Sequence, residues 1–372
     1  MEYKYHCQRQ AESFARAILP VPRDYPLKSG LPDEFRLHYT KLCGLARDIY
    51  ADMAERPEAY GLILLDIASE DHNLARDSYR SIHRFVDTLN AMFLNGDVGG
   101  HVLTVDTVKF KKAVGKTPTV PKYGLILSCL CDFGFAVSGF DGTSIDKKAA
   151  SFTVEYPDYP DIVDVLKTYC ECWAELDRFR RNRDLPHNEL IKHSPQEFHH
   201  HFYRFDYKIT ADLAQIPILT WVNEEADYLG YDENLKKFNE AFYLESLKYG
   251  GLKFDGEYHY KGKRIGRITA AGYSALGAPN YILSIKLKNM DKYMDVINAL
   301  PDSVKEPFTK SSCGNCGFQG ATSEYCKFRL NWTLNGAEHK GCAFWCFAFD
   351  DFDVANVPIY WKLAAREYGF GA

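Results

Sequence analysis

The chain lacks any apolar run long enough to cross a bilayer. A spanning helix takes ~20 such residues, and the longest stretch, Tyr123 to Val137, is interrupted by Asp132. It also lacks an apolar leader, because Met1 to Cys7 is largely polar. The expectation is a cytoplasmic protein with no membrane partner. Charge of one sign is missing too. The 45 Lys and Arg side chains face 50 Asp and Glu, a formal charge of −5, which argues against indiscriminate affinity for nucleic acid. Complete catalytic motifs are absent: no His-Glu-x-x-His, no EF-hand loop, no dinucleotide fingerprint. Gly115-Lys116-Thr117 has the ending of a phosphate-binding loop, but Phe110 stands where the first glycine belongs. Gly272-Tyr273-Ser274-Ala275-Leu276-Gly277 misses the nucleophile elbow by one residue.

What is present is ordinary globular composition, with 46 % apolar residues, 25 Tyr and 24 Phe in 372 residues. That excludes collagenous or wholly disordered chains. The length predicts two or three domains. Charge is distributed in blocks: residues 101–150 carry 7 basic and 4 acidic side chains and residues 251–300 carry 8 and 4, whereas 151–250 carry 11 and 19. Basic islands in an acidic frame are candidate footprints for an anionic partner, although charge also fluctuates along any chain.

Pro20, Pro22, Pro26 and Pro32 with Gly30 rule out regular structure, so residues 1–35 are expected as an extended arm. Phe35, Leu42, Leu45, Ile49 and Met53 predict a helix with Asp33 as its N-cap. One helix is expected over Leu74–Phe93, another over Asp161–Leu176, and a third over Thr220–Tyr249. Phe198 to Ile209 alternates like a strand, with His199 and His201 on one face. Hairpins are expected around Lys261-Gly262 and Asn335-Gly336.

Residues 104–156 have a distinct rhythm. A short basic helix holds Lys109, Lys111 and Lys112; a turn with Pro118 and Pro121 leads past Lys122 to an apolar helix, Tyr123 to about Asp132. A hairpin follows, with Lys147 and Lys148 near its tip. This order resembles a winged helix, which implies double-stranded DNA as a partner, with the second helix in the major groove and the hairpin on the minor groove or phosphates. That second helix carries little besides Lys122 and Ser128 for reading bases. A packing role for the segment therefore stands beside the DNA-binding one.

Eleven cysteines in a chain expected to stay reduced point to metal rather than disulfides. Five lie close together: Cys313, Cys316, Cys326, Cys342 and Cys346. Cys313-Gly314-Asn315-Cys316-Gly317 resembles the knuckle of zinc-ribbon proteins, and its spacing lets two sulfurs reach one ion, ~2.3 Å from each. In a regular strand Cys342 and Cys346 would be ~13 Å apart, so both cannot serve. Gly341 favours Cys342. The expected set is Cys313, Cys316, Cys326 and Cys342 around a structural Zn²⁺, with unliganded thiols or an iron–sulfur cluster as alternatives.

The sequence thus predicts an α+β protein: a helical, winged-helix-like domain over 36–190 and a mixed α/β domain over 191–372 with the zinc-ribbon-like cysteine cluster. The expected function is a regulator-like binding protein that takes DNA and a small-molecule or protein ligand. The alternative is an enzyme with a pocket between the halves.

Overall fold

A computed structural model describes residues 3–69, 71–115, 123–146, 148–182, 200–254, 257–273, 279–290, 293–309, 329–342 and 347–371. The protein is mixed α+β. The chain divides into two compact units, Met1–Ile216 and Pro217–Ala372. The domain boundary expected after residue 190 falls outside the described residues; residues 200–216 belong to the first unit. Among the described residues, no helix is long and apolar enough to cross a membrane.

The first unit opens with α1 (His6–Ala17), inside the segment expected to be extended. Gln8 explains its start: Oε1 accepts from the backbone N–H groups of Lys4 and Tyr5, and Nε2 donates to Ala54 O at the end of the next helix. The proline-rich stretch is extended, yet anchored. Leu27 bridges Ala211, Lys28 N donates to Thr210 O, and Asp212 N donates to Pro26 O. Helix α2 (Phe35–Glu55) buries Phe35, Leu42, Ile49 and Met53 of the predicted stripe plus Tyr39, Cys43, Ala46 and Tyr50, while Leu45 is half-buried. Asp33 does not cap it but binds Arg36.

The helix expected over 74–93 is two helices, α3 (His72–Ser81) and α4 (Arg84–Leu94). Side-chain hydroxyls and a guanidinium compete with the helical ladder at the break. Ser78 Oγ donates to Ile63 O, Ser81 Oγ to Ser78 O, and Arg84 to Gly61 O. At the far end of α4, Lys167 Nζ donates to Phe93 O and Gly96 O, placing a cation where the helix leaves unpaired carbonyls.

Strands β1 (Gly96–Gly99) and β2 (Val102–Asp106) form a hairpin whose two turn residues, Gly100 and His101, both have positive φ. Asp106 then caps α5 (Thr107–Val114) by accepting from Lys109 N. Helix α6 (Tyr123–Asp132) lies where the sequence predicts it, followed by β3 (Ala136–Val137) and β4 (Ser151–Glu155). The sheet order is β1-β2-β4-β3, antiparallel throughout. The loop between β3 and β4 folds on Asp141, whose carboxylate accepts from the N–H groups of Thr143 and Ser144. Helix α7 (Asp161–Asn182) buries Ile162, Val163, Leu166, Tyr169, Cys170 and Trp173.

The expected strand over 198–209 is not formed. Residues 200–203 are the end of a helix, Phe205 takes φ +50°, and Tyr207–Thr210 is a 3-10 turn. The alternation of aromatic and charged residues serves a turn whose polar side chains converge inward.

In the second unit the predicted helix over 220–249 breaks into α8 (Ile218–Leu229) and α9 (Glu233–Ser246). Gly230, at φ +73°, ends the first and Asp232 caps the second through Leu235 N. Strands β5 (Leu252–Phe254), β6 (Tyr258–Tyr260), β7 (Lys263–Tyr273) and β8 (Pro279–Ile285) follow. After α10 (Met294–Asn298) and α11 (Asp302–Thr309) come β9 (Arg329–Leu334) and β10 (Ala337–Cys342). Strand β11 (Phe347–Phe349) and α12 (Val357–Tyr368) close the unit. The five-stranded sheet runs β11-β8-β7-β6-β5, and β9-β10 is a separate hairpin. Both predicted hairpin turns form, at Lys261-Gly262 and Asn335-Gly336, each with two positive φ values.

The return strand after Asn335-Gly336 differs from expectation. Among the described residues β10 pairs with β9 as far as Cys342, and β11 joins β8 in the larger sheet. Trp361 sits at the middle of this core, fully buried against Phe242 and Tyr258, and its indole N–H donates to Phe242 O. Glu367 clamps the loop after β8 by accepting from Lys288 N, Asn289 N and Tyr293 Oη.

Gly124 decides how closely α6 approaches the β3–β4 loop. A Cβ there would lie 1.9 Å from Thr143 O, a backbone atom. Gly124→Ala should lower stability by at least about 1–3 kcal/mol in urea denaturation despite the better helix propensity of alanine. An unchanged midpoint would contradict the apposition.

Candidate functional site

Four buried ionisable side chains, His201, Arg204, Asp206 and Lys208, none more than 7 % exposed, lie close together in sequence where a helix ends and a 3-10 turn begins. The turn at Phe205 brings them together. Asp206 N accepts no role in a strand ladder; it donates to His201 O, folding the chain back. Asp206 Oδ1 accepts from Lys208 N at 3.0 Å, and Lys208 Nζ lies 3.3 Å from Oδ2. Asp206 Oδ2 and His201 Nδ1 are 2.6 Å apart.

The charge states follow from these distances. Lys208, His201 and Arg204 together hold the Asp206 carboxyl well below the usual carboxylate range, against the desolvation that opposes it. Burial first, and then the Arg204 charge, lower the His201 pKa to about 4. His201 is therefore neutral at pH 7, and its Nδ1–H donates to the Asp206 anion. The contact is a hydrogen bond rather than an ion pair. Arg204 Nη2 lies 3.1 Å from the same nitrogen, which has no second lone pair to offer; the guanidinium acts there through its charge.

Tyrosine hydroxyls fasten this segment to the helices around it. Tyr39 Oη donates to Phe205 O and Tyr50 Oη to Tyr203 O from α2; Tyr169 Oη donates to Phe202 O from α7. These carbonyls lie at or just beyond a helix end, and Phe202 O also accepts from Phe205 N. Tyr25 Oη donates to Thr210 Oγ1, which itself donates to Tyr207 O. Sequence reasoning read His201 as a strand residue and missed the cluster. The available signal was a charged residue at every second or third position within an aromatic run, His201, Arg204, Asp206 and Lys208. Such depth inside an aromatic core suits a fixed polar support, not a site that exchanges ligands.

The residues predicted from sequence lie elsewhere. Lys109 and Lys112 are exposed on α5, and Lys109 Nζ is 3.5 Å from Asp106. Lys111 Nζ reaches Ile145 O and Asp146 O, at 3.4 and 3.5 Å, so α5 and the β3–β4 loop lie side by side. Lys148 is exposed on that loop. Lys122 and Lys147 lie outside the described residues. Helix α6 buries Ile126, Leu127, Cys129 and Leu130; only Cys131 and Asp132 are fully exposed. It offers a DNA groove no basic side chain.

The expected structural Zn²⁺ is overturned. Among the described residues, no group of three or more His, Cys, Asp or Glu side chains could hold a metal ion. Cys313, Cys316, Cys326 and the alternative Cys346 lie outside the described residues. Cys342 is half-buried at the end of β10, opposite Arg329 in the hairpin ladder. The other described cysteines are scattered, and most are buried. Burial pushes the thiol pKa of Cys43 up to about 12 and that of Cys129 up to about 11. Both are thiols at neutral pH, the wrong form for a metal ligand or a nucleophile.

Comparison with known proteins adds no family: no family model, no curated protein and no solved structure matches the chain.

The polar core makes an acid-sensitivity prediction. Between pH 6.5, the ordinary value, and about 4, the unfolded chain binds a proton at His201 that the folded chain does not. Stability should be full above pH 6.5 and fall as pH drops to 4, by on the order of 3 kcal/mol. Below that, protonation of Asp206 should remove more. Urea midpoints across this range check it: His201→Gln should flatten the slope between pH 6.5 and 4, and an equally steep variant would refute the assignment.

Proposed function

We propose that the protein is a regulator-like binding protein whose residues 104–156 form a winged-helix-like module that contacts the backbone of duplex DNA. The order supports this reading: helices α5 and α6, then the β3–β4 hairpin, with β4 between β2 and β3 in the sheet. The observation that carries it is the pairing of α5 with the hairpin loop through Lys111, which brings Lys109, Lys112 and Lys148 onto neighbouring exposed segments.

The mode of contact follows from the side chains. Helix α6 is committed to packing, with Cys129 Sγ donating to Ala59 O and Gly124 against Thr143. Base readout in the major groove requires Arg, Asn, Gln or Lys on the inserted helix, and α6 exposes none. The contacts left are lysine to phosphate. They position a protein on a duplex without reading its sequence. Lys109 is shared with Asp106, so the affinity belongs to the weak, salt-sensitive class.

Fluorescence anisotropy with a random-sequence duplex tests this. Binding should be measurable at low salt and weaken steeply as salt rises. The Lys109→Glu, Lys112→Glu, Lys148→Glu triple variant should bind at least roughly tenfold more weakly and with a salt slope reduced by about 3, near one per lost phosphate contact. No binding by the wild type at low salt, or equal binding by the variant, would end the reading.

A further inference from the structure

The five-stranded sheet of the second unit has two faces of opposite character, and the register fixes which residue stands on which. Side chains of register partners share a face, and neighbours along a strand alternate. Tyr258, Leu283, Ile285 and Phe349 stand on one face, in the core to which helices α8 to α12 all contribute. On the other face Lys253 stands beside His259, and His259 beside Arg264. One step along, Arg267 stands beside Ser284 and Ser284 beside Ala348. Lys286 follows Ile285, so it shares this second face, and its N–H continues the ladder to Ile265 O.

This second face is basic. Among the described residues Lys253, Arg264, Arg267 and Lys286 lie on it, together with the carboxylate of Glu257. Glu257 Oε1 accepts from Arg267 Nη1 at 2.7 Å and from Arg264 Nη1 at 3.3 Å. One acidic group thus holds two guanidiniums close together. Their side chains remain 40 % and 38 % exposed, with donors left over for a further acceptor.

We propose that this face docks an extended acidic segment of a partner polypeptide, with the Arg264–Arg267 pair taking its carboxylates. Charge complementarity selects an anionic occupant, because among the described residues Arg264, Arg267 and Lys286 share this face and the two guanidiniums share one carboxylate oxygen, Glu257 Oε1. The geometry suits a peptide. Carboxylates on every second residue of an extended chain recur at ~7 Å, a spacing that guanidiniums three residues apart on one strand can follow. Single-stranded nucleic acid binds through aromatic stacking platforms. Among the described residues of these strands, the Tyr and Phe side chains at Tyr258, Tyr260, Phe347 and Phe349 belong to the core side instead. The proposal is independent of the DNA reading, since it involves none of the lysines on α5 or the β3–β4 loop.

Full-length protein and a fluorescein-labelled Glu-Thr repeat peptide provide the test, with the matching Gln-Thr peptide as the uncharged probe. Anisotropy should show binding of the glutamate peptide and at least roughly tenfold weaker binding of the glutamine one. Arg264→Ala with Arg267→Ala should weaken the glutamate peptide roughly tenfold. Glu257→Gln should tighten it, because an internal competitor is removed. Both variants should melt within a few degrees of wild type, which separates lost docking from lost folding. Glutamate-peptide binding that ignores the double variant, or that Glu257→Gln weakens, would overturn the proposal. So would a labelled single-stranded oligonucleotide that displaces the peptide and shows the stronger dependence on Arg264 and Arg267.

Discussion

Burying backbone carbonyls in an aromatic core obliges the core to supply its own hydrogen-bond donors, and both units meet this demand with tyrosine and tryptophan. A buried carbonyl without a partner costs about as much as a lost hydrogen bond. In the first unit Tyr39, Tyr50 and Tyr169 each place a ring in the core and a hydroxyl on a carbonyl of residues 202–205. In the second, Trp361 does so for Phe242, Trp332 for Phe308, Tyr360 for Asp351 and Tyr368 for Lys286. The abundance of Tyr is therefore more than bulk. Each such ring contributes apolar area and a directed donor, fixing its neighbour's backbone as well as filling space.

The polar cluster at 201–208 is the charged counterpart of the same constraint. A buried carboxylate is tolerable when several donors and compensating charges surround it. Asp206 has the imidazole of His201, the backbone N–H and ammonium of Lys208, and the nearby guanidinium of Arg204. Such an arrangement fixes a sharp turn with little tolerance for rearrangement. The exposed basic groups behave differently. Lys109, Lys112 and Lys148 in the first unit, and Arg264 and Arg267 in the second, retain solvent contact and are free of that geometric demand.

Local chemistry that acts within a few residues was legible in the chain. The stripe of α2, the apolar span of α6, the hairpin turns at Lys261-Gly262 and Asn335-Gly336, and the helix–helix–hairpin order over 104–156 all follow from short-range spacing. Breaks were less legible. The α3–α4 junction depends on Ser78 and Arg84 reaching Ile63 and Gly61, and a periodicity count sees only their own segment. The α8–α9 junction had a local sign, Gly230 before Asp232, which the continuous apolar pattern obscured. The cysteine reading failed for a related reason. Spacing within a sequence says which thiols could share an ion; among the described residues no group of three or more His, Cys, Asp or Glu side chains could hold one, and Cys342, the described member of the expected set, stands opposite Arg329 in the hairpin ladder.

The sequence by itself determined the α+β class, the aromatic character of the cores, most helix spans and the turn chemistry, because these depend on propensity and patterning over a few residues. Tertiary structure alone decided that residues 201–210 are a buried helix end and turn rather than a strand. Alternation of aromatic and polar side chains is the same in both, and only the hydroxyls arriving from α2 and α7, together with the meeting of His201 and Asp206, distinguish them. It also decided that β11 leaves the β9–β10 hairpin for the larger sheet. Strand partners are chosen by which apolar face can be covered, and that choice is made across hundreds of residues at once.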